Sequence, residues 1–232
     1  MIRTSIRRLA TATALAATVC GVAAFTVTAA AEPTPSAGRA ATTSVVATAA
    51  ERVDRDRPNP YAFLPRVPSF RLWSRTVSNG SPLPKAQWSG VFGVPGGKDI
   101  SPQLSWSGFP ARTRSFVISM YDPEAPTGSG FWHWIVADVP ASTRNLPADA
   151  GAPGGKNLPA GAFQLNGDAG MPRYIGAAPP AHSGVHDYYI TVTALDVPST
   201  GLNADTSGAL LGFTIDSHTI ARATLLCPTP AP

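Results

Sequence analysis

The chain has 232 residues, enough for one sizeable domain and an N-terminal extension. Only 14% of them are charged, against roughly 25% in ordinary soluble domains, while 21 glycines and 24 prolines point to a turn-rich, mainly β protein. The net charge of +4 sits at the N-terminus: residues 1–31 carry three arginines and no acid, whereas from Thr76 onward eight bases face ten acids, which excludes the concentrated positive footprint of a nucleic-acid binder.

Residues 1–31 read as a secretory signal: Arg3, Arg7 and Arg8, an apolar run from Leu9 to Val27, and Ala29, Ala30 and Ala31 at the cleavage site. Export to the medium or the cell envelope is the expectation. The apolar run is too rich in Ala and Thr for a spanning helix. Val19 stands where a lipobox has a small residue, so lipidation of Cys20 is not expected. Cleavage after Ala31 would leave Cys227 alone, so the domain is expected to hold by packing without an internal disulfide. Residues 32–67 alternate Ala, Thr, Ser, Pro and Arg and read as a disordered linker.

From residue 68 to 228 short apolar alternations are broken by Gly, Pro and Asn every dozen residues or so, the pattern of a sandwich or barrel, with 229–232 as a tail. Strands are predicted around Phe70–Arg75, Ser115–Tyr121, Phe131–Val139 and His186–Asp196. Side chains two apart share a face, so Phe116, Ile118 and Met120 point one way. Likewise His186, Tyr188, Ile190, Val192 and Ala194 point together, opposite Asp187, Tyr189 and Thr191. Helix signals are confined to residues 207–211 and, capped by Asp216, residues 217–221. No repeat and no second domain are visible.

Chemistry-bearing residues concentrate in MYDPEAPTGSGFWHWIVADVP at 120–140 and near His186. A serine hydrolase would need a nucleophile elbow, and no G-x-S-x-G occurs. His133, His186 and Asp122 could supply two imidazoles and a carboxylate to a metal, without the compact spacing that would support it. Asp122 and Glu124 as a glycosidase pair would need the proline-rich turn to stay extended. The remaining chemistry is anion binding, with imidazole N–H groups, a tyrosine hydroxyl and backbone N–H groups of the Gly128–Gly130 turn converging on a phosphate. Asp122 reads either as a cap of the turn before Pro123 or as an acceptor that orients His133.

Lys98-Asp99-Ile100-Ser101-Pro102-Gln103-Leu104-Ser105-Trp106, DPEAPTGSGFWHWIV at 122–136, Tyr174-Ile175-Gly176 with Pro179-Pro180, and His186 to Tyr188 together resemble the phosphatidylethanolamine-binding protein family in its bacterial, Raf-kinase-inhibitor-like branch. The resemblance implies two antiparallel β-sheets with short peripheral helices. It also implies a pocket for phosphate or phospholipid head groups at Asp122, His133, His186 and Tyr188, with Pro123 and Pro179 shaping its walls and Ala125-Pro126 a candidate cis bond. A binding protein is expected, not an enzyme, with no metal and no cofactor. The alternative is an inhibitor of an exported protease or other enzyme acting through rim loops at 151–159 and 176–184; a homodimer stays open. Departures from the family pattern are Asp187 between the pocket His and Tyr, Ala177, Asp138 and the Cys227-Pro228 ending.

Overall fold

The computed structural model describes residues 59–232; the expected signal segment and the linker up to residue 58 lie outside them. Two antiparallel sheets carry the domain. The small one pairs β1 (Arg71–Trp73), β2 (Leu104–Ser107) and β5 (Asn145–Leu146) in the order β1-β2-β5. The large one runs β6-β4-β3-β7-β8, from β3 (Ser115–Asp122), β4 (Phe131–Pro140), β6 (Phe163–Gln164), β7 (Val185–Leu195) and β8 (Thr219–Pro230).

Strand parity sorts the large sheet into two apolar faces. Phe116, Ile118 and Met120 of β3 join Tyr188, Ile190, Val192 and Ala194 of β7 in the main core, which Leu104, Trp106 and Leu146 of the small sheet close from the other side. Val117, Ile135, Ala137 and Leu195 point outward and are covered by Leu211 of α1 (Gly208–Ile215). Ser207 caps α1 by accepting from the Leu210 N–H at 3.2 Å. Gly208 lets the helix sit down, since a Cβ there would stand 2.7 Å from the Trp132 ring.

Three local expectations differ from what is seen. Residues 217–221 do not form a helix: Asp216–His218 make one 3₁₀ turn and Thr219 already starts β8, because pairing along β7 outweighs a weak capping signal. β8 continues to Pro230 with Thr229 fully buried, past the boundary at 228. No peptide bond among the described residues is cis, so Ala125-Pro126 is trans. In the stretch read as linker, Tyr61 lays its ring edge-on to Tyr189 of β7 at 6.1 Å, with the Arg222 guanidinium 5.0 Å from the Tyr61 ring centre.

Candidate functional site

β3 ends, and β4 and β7 begin, at the same end of the large sheet, where Asp122 pairs with Phe131 and Tyr121 with Tyr189. The placement of His133 there depends on a break in register. Met120 pairs with Trp134 and Tyr121 with Trp132, leaving His133 as an extra residue of β4. Trp134 lies in the main core and Ile135 on the outer face, so strict alternation would turn His133 outward. The bulge turns it inward instead, its ring 5.2 Å from that of Tyr188, and sends Trp132 to the outer face.

His133 Nδ1 lies 3.0 Å from the Ile175 carbonyl, whose own N–H donates back to the His133 carbonyl at 3.0 Å. The tautomer that fits carries its proton on Nδ1, leaving Nε2 for the cleft. Burial pushes the His133 pKa below the ordinary 6.5; the nearby Asp122 charge and the backbone of Ile175 and Gly176 oppose that shift.

Asp122 splits its two oxygens. One accepts the Glu124 N–H at 2.9 Å, the turn-capping role, and the other lies 2.7 Å from His186 Nδ1. The orienting partner is therefore His186 and not His133, because β7 is the strand beside Asp122 while the bulge ties His133 to Ile175. His186 Nε2 lies 2.8 Å from Ser183 Oγ, and the Ser183 hydroxyl donates to the Pro180 carbonyl at 2.7 Å. Both ring nitrogens of His186 are thereby engaged, one by a carboxylate and one by a hydroxyl. Asp122, His186 and Ser183 stand in the order of a hydrolase triad, but the Ser183 hydroxyl donates to Pro180 and Ser183 does not line the cleft.

Tyr188 is fully buried. Its hydroxyl lies near Asp122 and the Ala178 backbone without a well-directed hydrogen bond to either, and burial raises its pKa so far that it stays a neutral donor. The cleft among these groups has a volume of about 120 Å³, and Asp122, His133, His186 and Tyr188 all line it. The prolines in its wall are Pro126 and Pro180 rather than Pro123 and Pro179. Phe131 and the half-exposed Phe92 add an apolar lip, their rings edge-to-face at 6.1 Å. Ser183, Phe92 and Phe131 were not singled out by sequence reasoning; the turn three residues before His186 was the one available signal for Ser183.

Glu124 does not line the cleft: it accepts the Asp187 N–H at 2.9 Å, pinning the start of β7, and burial raises its pKa. Among the described residues no three His, Cys, Asp or Glu side chains are grouped to hold a metal. The two loops considered as one rim line different clefts, Ala178 and Pro180 here and Gly154, Gly155 and Leu158 elsewhere.

The family profile described as phosphatidylethanolamine-binding protein matches residues 73–228. The chain belongs to the phosphatidylethanolamine-binding protein family. YbcL of Escherichia coli K12 is 40% identical over 161 residues, 69% of this chain and 87% of the relative. YbhB of the same organism is 42% identical over 156 residues, 67% and 97% respectively. The crystal structure of E. coli YbcL superposes with a TM-score of 0.68 at 38% identity, covering 71% of this chain and 99% of that one. A Plasmodium vivax member, at 14% identity and a TM-score of 0.50, shares the fold alone.

Two of the segments that carry the family pattern prove to be scaffolding. Asp99, buried and at φ 51°, accepts the Gly176 N–H and the Val91 N–H, each at 2.8 Å. It thereby holds the Tyr174-Ile175-Gly176 strip against His133. Gly176 is needed because a Cβ would collide with the Trp88 backbone. Of the departures from the family pattern, Asp138 sits at φ 55° and accepts from Ser199 and the Thr200 N–H at 2.6 and 2.8 Å, a structural task.

Proposed function

We propose that this chain is an exported, non-enzymatic binding protein whose cleft takes a phosphate group, free or at the head of a phospholipid. The observation that carries the reading is the Tyr188 hydroxyl, a buried donor with no well-directed partner on a residue that lines a small cleft with His133. Leaving such a group unmade costs about 1–3 kcal/mol, which a ligand oxygen would offset. Asp122 and His186 are hydrogen-bonded to each other, so neither is free to meet the anion. The positive charge for an anion then comes from His133, which takes up a proton at Nε2 as the anion enters. At about 120 Å³ the cleft is well below the roughly 300–1,000 Å³ of sites that enclose drug-sized ligands. A head group fits, and the Phe92 and Phe131 lip suits an apolar remainder outside.

Titration with inorganic phosphate and with phosphoethanolamine between pH 5.5 and 8, followed by the ring signals of His133 and His186, tests the reading. Affinity should rise as pH falls; no movement of either ring at millimolar ligand sinks it. Export rests on the pattern of residues 1–31, and the N-terminal sequence of protein recovered outside the cytoplasm tests it.

A further inference from the structure

On the opposite face of the large sheet, between α1 and the stretch around Tyr61, lies a larger cleft of about 340 Å³. Its lining is mostly apolar, with Val117, Trp132, Leu211 and Ile215, and the hydroxyl-bearing Ser119 and Thr193 lie among them. Next to it opens a second cavity of about 590 Å³, and Tyr61, Leu64 and Arg222 line both. The two differ in character. Among the described residues the second is lined by Arg66 besides Arg222 and by no acid, whereas the first has a single acid, Asp216. Arg222 makes no ion pair among the described residues; its guanidinium stacks on Tyr61, and burial lowers its pKa, with Tyr61 and Asp216 opposing.

A half-buried guanidinium with no ion-paired carboxylate, where a largely apolar trough meets a basic cavity with no acid among the described residues, describes the complement of an anionic amphiphile. The rim agrees: Phe213 is 82% and Leu210 50% exposed on a helix that is apolar nearly all round, and Phe63 is 90% exposed. Such a helix is normally buried on every side. We propose that this outer cleft binds a single-chain amphiphile, its tail along the Trp132 floor beneath α1 and its anionic head between Arg222 and Arg66. The site is separate from the phosphate cleft and does not depend on it.

Dodecanoate and dodecyl phosphate, both below micelle formation, serve as probes, with dodecanol and dodecyltrimethylammonium as head-group controls. The readouts on the full chain are calorimetric stoichiometry and the Trp132 indole signal, assigned with Trp132→Phe. One dodecanoate should bind per chain and shift Trp132 while the His133 ring stays still; dodecyl phosphate should shift Trp132 likewise, and any His133 shift it adds belongs to a second equivalent in the phosphate cleft. Arg222→Gln should weaken both anions about tenfold or more, the scale of a lost charge-assisted hydrogen bond, and leave dodecanol unchanged. Gly212→Phe should block every tail; a Cβ at Gly212 meets nothing within 4 Å, so the fold is spared. The proposal is overturned if the cationic chain binds as well as the anions, if Arg222→Gln changes nothing, if His133 moves in place of Trp132, or if only anionic vesicles and no monomeric amphiphile bind.

Discussion

His133 and His186 are both buried imidazoles facing Tyr188 in one cleft, yet their partners give them different work. His186 is held at both nitrogens, by Asp122 and Ser183, and serves as a fixed part of the frame. His133 is held at one nitrogen by a carbonyl, keeps the other for the cleft, and is pushed toward neutrality by burial. The residue type is the same; the second hydrogen-bond partner decides whether it builds the site or responds to what enters.

The contrast is broken most severely by Asp122→Ala. That change strands His186 Nδ1 and removes the cap on the Glu124 N–H, and it should cost about 2–4 kcal/mol, the scale for leaving two buried hydrogen-bonding groups unpaired. Urea denaturation measures it, and a loss below about 1 kcal/mol would show that the pair does not hold the frame.

The next effect follows from His133. Its folded pKa is lowered, so the unfolded chain binds more protons; the stability it contributes is complete above the unfolded value near 6.5 and is lost as pH falls toward the folded value. Phosphate should reverse the trend, because it favours protonated His133. The gain in melting temperature with phosphate should therefore grow from pH 7.5 to 5.5, and His133→Gln should flatten that growth.

Tyr188→Phe should lower phosphate affinity about five- to tenfold, the value of one hydrogen bond, while leaving stability unchanged or slightly raised, since the removed hydroxyl has no well-directed partner. Calorimetry and denaturation of the same variant separate the two. Ser183→Ala is the mildest change: it should shift stability by no more than about 1 kcal/mol. Ester hydrolysis by the parent chain that disappears in this variant would show that the Asp122, His186 and Ser183 line is catalytic after all.

The fold was legible where parity is strict. The alternation from His186 to Ala194 and from Phe116 to Met120 matches the main core residue by residue. The four polar residues that line the cleft stood out in the sequence because histidines and a tyrosine lay near acids and prolines on strand-like runs. Their wiring was not. A bulge leaves no mark on FWHW, so the turn of His133 toward Tyr188 could not be read, nor the transfer of Asp122 to His186 that goes with it. The wall prolines moved by a few positions, from Pro123 and Pro179 to Pro126 and Pro180, because a turn's direction depends on backbone angles that adjacent prolines do not distinguish. The helix expected at 217–221 yielded to long-range pairing that no local signal reports.

The extra residue at His133 also makes the site a matter of counting. Remove Trp132, and the strand upstream of Trp134 would resume plain alternation: the imidazole would pass to the outer face and Phe131 would take its place in the cleft. Every ionisable group of the site would still be present in the chain, yet the cleft would have exchanged an imidazole for a benzene ring.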